Sequence, residues 1–193
     1  DNIWTYSQAD IWKGLQESYG NLAENVRNKY GVAIRTTGSI GISGMMHGYM
    51  VFDRSGKLLT PFRTWRNNTT GKAAEALTEL FNYPIPQRWS IAHLYHAILN
   101  NEKHISEINF MTTLAGYIHR QLTGRKVLGV GEASGVFPVD VKTGNFNTQM
   151  ISRFNELISH KTPPWKLEDI LPDVLPAGEK AGELTEAGAR LLD

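Results

Sequence analysis

The chain has no cysteine in 193 residues, which excludes disulfides, thiolate nucleophiles and cysteine-ligated zinc and fits a reducing compartment. It has no apolar run near the ~18–20 residues that cross a bilayer. Its start, Asp1-Asn-Ile-Trp4, lacks the basic and apolar regions of a leader peptide, so the expected location is cytoplasmic, with no membrane partner. Charge of neither sign dominates: 20 Lys and Arg against 19 Asp and Glu give a formal net charge of +1. With no basic run, the chain has no evident electrostatic source of attraction for nucleic acid. Also absent are a Gly-x-Ser-x-Gly elbow, a Walker lysine loop and paired carboxylates identifiable as a glycosidase site. No internal repeat or low-complexity tract occurs.

What is present is an ordinary globular composition, 41% hydrophobic and 20% charged, in a length that suits one large domain. The most informative stretch runs from Ser39 to Trp65. Ile40 and Ile42 lie among glycines 38, 41 and 44 and predict a short buried strand whose end lets backbone or ligand approach closely. Met46 and His47 fall at its mouth, where open α/β sheets form small-molecule crevices. Tyr49 to Leu59, with Ser55-Gly56 between two apolar runs, predicts a hairpin.

Apolar residues at three- and four-residue spacing predict a helix from Ser7 to Tyr30, capped by Ser7 and stopped by Gly31. Further helices are predicted over Thr70–Phe81, with Pro84–Pro86 as the break, over Ser90–Asn100, from about Ile108 to Leu122, and over Asn147–Ser159. Between the last two, Val127 to Asp140 is glycine-punctuated and β-leaning, and Asp140 with Lys142-Thr-Gly144 predicts a turn. His93 and His96 stand three apart on one predicted helix, but no third ligand is spaced to join them, so no metal is assigned. Asn67 and Asn68 each open an N-x-Thr sequence that matters only in a secreted protein. Gly129-Val-Gly131 with Gly135 lacks the spacing of a dinucleotide loop and reads as a turn.

Taken in order, Ile40-Gly-Ile-Ser-Gly-Met-Met-His-Gly48, Trp65 on the strand after the hairpin, Tyr117-Ile-His-Arg-Gln-Leu-Thr-Gly124 and Glu132-Ala-Ser-Gly-Val-Phe-Pro-Val-Asp-Val-Lys-Thr-Gly144 resemble the first domain of the FGGY carbohydrate kinases, xylulokinase branch. The resemblance extends over essentially all of residues 1–193. It implies an α/β, RNase H-like (actin/hexokinase-type ATPase) domain without its first strands, a small-molecule sugar ligand, and an ATP- and Mg2+-dependent kinase as the complete enzyme. It implies that the nucleotide-binding domain and the general-base aspartate lie beyond Asp193. This segment would then bind neither ATP nor Mg2+ and would be inactive alone. The substrate contacts it implies are Met46 and His47, with Trp65, Arg66 and Trp89. Each has a plainer reading: core packing for Met46, Trp65 and Trp89, a turn cap for His47, a solvated cation for Arg66. An imidazole can donate to a sugar hydroxyl, a thioether packs on carbon, and an indole covers a C–H face.

Two departures bear on which sugar is meant. Asn67 and Thr69 stand where the resemblance calls for aspartate and arginine after the tryptophan, and His93 replaces a lysine. Ribulose, a deoxyketose or a polyol such as a tetritol are alternatives to xylulose, and a non-catalytic sugar-binding remnant is the alternative to an enzyme. The apolar stripe of the Ser7–Tyr30 helix, normally covered by further strands in such a domain, implies marginal stability or association, for instance as a homodimer.

Overall fold

The computed structural model describes residues 3–161 and 163–193. Helix α1 (Gln8–Tyr30) begins where Ser7 accepts the Asp10 N–H and ends at Gly31, whose φ of 70° supplies the left-handed cap. None of its residues is buried. Ile11, Trp12 and Leu15 pack against a cluster of Met50, Phe52, Phe62, Phe110, Tyr117, Ile118 and Leu122, whereas Leu22 and Tyr30 are exposed. Gln8 Nε2 and Trp12 Nε1 both donate to the Tyr117 hydroxyl, at 2.8 and 2.9 Å. The N-terminal half of the helix is therefore anchored, and the remainder of its stripe projects from the core.

The strand expected at Ile40–Ile42 does not form: those residues join no ladder among the described residues, and Ile40 is 48% exposed. A run with strand composition becomes a strand only where another segment supplies a hydrogen-bonding ladder, and here the ladder starts later. Strand β1 (Met50–Phe52) pairs antiparallel with β2 (Phe110–Thr112), Met50 facing Thr112 and Phe52 facing Phe110. That pairing also corrects the helix expected from Ile108. Its first residues are the partner of β1, and α4 (Leu114–Thr123) starts only after Thr113, which caps it by accepting the Gly116 N–H. Gly116 lets the helix lie on the strand, since a Cβ there would meet Thr112 Oγ1 at 2.1 Å.

The hairpin turn is present. Gly56 takes a φ of 86°, and Asp53 accepts the N–H groups of Ser55 and Lys57. The returning arm touches β1 only at the bridges Phe52–Leu58 and Tyr49–Arg63. Trp65 is consequently not on a strand: the chain has already turned, with the Asn67 N–H bonded to Thr64 O.

Helix α2 (Gly71–Phe81) buries Ala73, Ala74, Leu77 and Phe81 and stops at Asn82, with a φ of 49°, ahead of the prolines. Helix α3 (Ser90–Leu99) is buried along nearly its whole length. The β-leaning stretch splits into β3 (Val127–Gly129) and a helical turn α5 (Val130–Ala133), not continuous strand. The Asp140–Gly144 turn joins β4 (Val139–Asp140) to β5 (Asn145–Phe146) as expected. Helix α6 (Thr148–Ile158), capped by Asn147, packs Ile151, Phe154 and Ile158 into the core. A short α7 (Leu167–Ile170) leads to β6 (Asp173–Leu175), which pairs parallel with β3, and α8 (Glu186–Arg190) lies on α4. The architecture is mixed α/β, and the main core lies between α2, α3, α6 and the strands.

Candidate functional site

The loop Met46–Gly48 enters β1 through two consecutive residues of positive φ, His47 at 68° and Gly48 at 99°. Glycine at 48 is required twice over, because a Cβ would also meet Arg63 O and the Phe62 ring at 2.8 Å. His47 has no such licence, and a non-glycine residue in this region costs about 1 kcal/mol or more. The surroundings hold it there. The Gly48 N–H donates to Arg88 O at 3.2 Å and the Ser90 hydroxyl donates to Gly48 O at 2.5 Å.

Helix α3 supplies the second wall. No side chain caps its N-terminus. Instead Ser90 N–H and Ile91 N–H donate to the carbonyls of Gly135 and Val136, at 3.4 and 3.1 Å, which brings the Ala133-Ser134-Gly135 turn against the start of the helix. His47 lies between them. Its ring stacks on Trp89, with planes 17° apart and centroids at 6.4 Å, and its Nδ1 is 3.4 Å from Gly135 O. Gly135 is the close approach: a Cβ there would stand 2.5 Å from His47 Nδ1 and 3.1 Å from Met46 Cε.

Burial lowers the His47 pKa from 6.5, the bond to Gly135 opposes that, and the Arg88 charge adds to the lowering. The ring is therefore neutral at pH 7. A carbonyl partner takes the proton-bearing nitrogen, so Nδ1 carries the proton and Nε2 offers a lone pair. The imidazole is thus set to accept from a hydroxyl, where the sequence suggested that it donates.

Trp65 and Arg66 occupy the neighbouring turn. Arg63 exchanges both backbone hydrogen bonds with Tyr49, and two residues further along these segments stand His47 and Trp65. Trp65 is 49% exposed, so core filling does not account for it. The Arg66 guanidinium lies 4.7 Å from the ring centroid of Trp4 and 5.7 Å from that of Trp65. The structure thus brings Met46, His47 and Trp89 together around Gly135 and sets Trp65 and Arg66 beside them. Among the described residues no hydrogen bond or ring contact joins the two groups.

Behind the site lies a buried polar cluster. Arg63 pairs with Glu102, the Tyr49 hydroxyl is 2.9 Å from His104 Nε2, and His93 stacks on Tyr49. His93 is fully buried, neither ring nitrogen has a partner among the described residues, and burial drives its pKa down to about 3. Among the described residues no group of three or more His, Cys, Asp or Glu side chains is placed to hold a metal ion, and no helix is long and apolar enough to cross a membrane. Open clefts of about 650 Å3, beside Ser55 and Trp165, and about 410 Å3, beside Asp140 and Asp173, are not lined by Met46, His47 or Trp89. They lack the convergence of imidazole, indole and backbone found around Gly135.

Sequence reasoning missed Gly135 as the contact of His47, although the Ala-Ser-Gly segment was visible. It also missed Trp4 as a ring contact of Arg66, for which the sequence carries no signal.

The sequence pattern of the FGGY family of carbohydrate kinases, N-terminal domain, matches residues 2–192. The xylulose kinase of Staphylococcus xylosus is 24% identical over 156 residues, 76% of this chain and 30% of that enzyme. Among solved structures, the xylulose kinase of Rhodospirillum rubrum superposes with a TM-score of 0.76 at 18% identity, covering 97% of this chain and 38% of that one. The gluconate kinase of Lactobacillus acidophilus superposes with a TM-score of 0.73 at 15% identity, covering 100% and 39%. The chain thus spans well under half the length of these relatives, and it shares the actin/hexokinase-like fold of the sugar kinases. It belongs to the FGGY family of carbohydrate kinases, matching that family's N-terminal domain.

Proposed function

We propose that residues 1–193 are the sugar-binding half of an ATP-dependent kinase that phosphorylates a hydroxyl of an open-chain ketose such as xylulose. The observation that carries this reading is His47, held in a positive-φ loop between the Trp89 ring and Gly135 O with its Nε2 available to a hydroxyl. Met46 beside it supplies a polarizable apolar surface for the carbon chain. Trp65 and Arg66 form the adjoining edge, one indole face for C–H groups and one fork of donors for hydroxyls.

Phosphoryl transfer asks a protein mainly for positioning and for stabilisation of phosphate charge. This chain does the first: it fixes the acceptor's orientation through side chains whose own geometry is locked by backbone contacts. ATP and Mg2+ would supply the phosphoryl group and its charge neutralisation. Among the described residues no group of three or more His, Cys, Asp or Glu side chains is gathered for a metal ion, and no step is routed through one. The general base is assigned to an aspartate beyond Asp193, and the domain division follows the same reading.

Titration of the purified chain with ketopentoses, ketohexoses and polyols, followed by calorimetry, tests this. Saturable binding of one sugar, lost on His47→Ala, supports it. A folded chain that binds none of the panel contradicts it and favours an interaction module that kept the fold without the sugar site.

A further inference from the structure

Trp4 is 58% exposed, yet its backbone is fixed. Asn67 uses both ends of its amide on this one residue: Oδ1 accepts the Trp4 N–H at 3.0 Å and Nδ2 donates to Trp4 O at 2.8 Å. The Thr64 N–H donates to the same carbonyl at 3.2 Å. Asn67 is itself buried, and its Nδ2 also donates to Thr64 O. Three hydrogen bonds to the peptide groups of this one residue, with most of the indole left open, hold the ring at the surface without burying it.

The segment Phe62–Trp65 is the middle ply of three. Arg63 bonds to Tyr49 on one side, and Thr64 bonds to Trp4 on the other. Trp4 is therefore the next layer outward from the His47 loop, and Arg66 draws its ring and that of Trp65 around a single guanidinium. A cation held between two partly exposed indoles is preorganised for a polyhydroxylated chain: rings for C–H faces, N–H donors for hydroxyls.

We propose that Trp4 is a further substrate-binding residue, completing with Trp65 and Arg66 an outer subsite for the end of the acceptor distant from His47, and that Asn67 is its positioning residue. This rests on the sugar-binding reading above. Asparagine at 67 then has a specific role. An aspartate there would lose the Nδ2 donor and set a carboxylate oxygen against the carbonyls of Trp4 and Thr64, releasing the clamp.

The experiment uses the chain with 5-fluorotryptophan at its five tryptophan positions, the fluorine resonances assigned by single Trp→Phe variants, and D-xylulose as the first probe, followed by the ketohexoses and polyols. Binding should shift the Trp4 resonance along with that of Trp65. Trp4→Ala should weaken affinity roughly tenfold with an unchanged melting midpoint, because the lost ring contacts are chiefly with Arg66 and the ligand. Trp4→Phe should restore most of the affinity, and Asn67→Asp should lose it as Trp4→Ala does. Sugar binding with an unmoved Trp4 resonance and unchanged affinity in Trp4→Ala overturns this inference and leaves the reading it rests on intact. No binding by the folded chain across the panel overturns both.

Discussion

His47 Nδ1 lies 3.4 Å from the carbonyl oxygen of Gly135, and the space a Cβ on Gly135 would fill is taken by that same imidazole, at 2.5 Å. One contact thus fixes the tautomer, the orientation and the clearance of the ring. Gly135→Ala should push His47 and Met46 out of position and reduce sugar affinity at least tenfold, while costing only about 1 kcal/mol of stability because the half-buried ring can move. Calorimetry together with a denaturant curve separates the two effects. Affinity should also hold between pH 8 and pH 7 and weaken as the solution is acidified further, since burial lowers the His47 pKa from its ordinary 6.5 and protonation removes the Nε2 acceptor.

His93 should be a source of acid lability. The folded state holds it neutral down to about pH 3, whereas the unfolded chain protonates it near 6.5. Stability is thus fully present above pH 6.5 and is lost as pH falls toward 3. The cationic Arg63 and His96 near it deepen the depression. His93→Leu, removing two buried nitrogens without partners, should stabilise the chain by about 1 kcal/mol at pH 7 and flatten urea midpoints between pH 6.5 and 3 by about one proton's worth of slope.

The Arg63–Glu102 pair presents the opposite case. Glu102→Ala leaves Arg63, a residue only 8% exposed in the native chain, without its carboxylate, a loss of about 3 kcal/mol by analogy with other buried pairs. The double variant Arg63→Met, Glu102→Met should cost clearly less than Glu102→Ala alone. Chemical denaturation of the set reads this directly.

Tyr117 holds α1 to the core through one oxygen shared by Gln8 and Trp12. Tyr117→Phe should cost about 1 kcal/mol, and hydrogen exchange should show the added opening concentrated in α1, whose C-terminal half has no buried residue to resist it.

Features written locally were legible in the sequence. The Ser7 cap, the Gly31 stop and the Ser55-Gly56 turn each depend on residues within a few positions. What failed depended on distant partners. Ile40–Ile42 had strand composition but nothing to pair with, and Phe110–Thr112 continued a helical pattern until β1, about sixty residues earlier, claimed it. The site divides in the same way. Met46 and His47 were visible through the order of motifs and Trp89 through the resemblance, whereas the Gly135 contact and the Asn67–Trp4 clamp join residues far apart in the chain and leave no local pattern.

Nitrogen-15 NMR of the His47 ring during titration with the sugar selected by calorimetry tests the central claim most directly. The account predicts an Nδ1–H tautomer at pH 7 in the free chain, with the Nε2 resonance moving at saturation in the direction of an accepted hydrogen bond while Nδ1 stays in place. A ring protonated at Nε2, or one whose resonances stay unmoved at saturation, would contradict it.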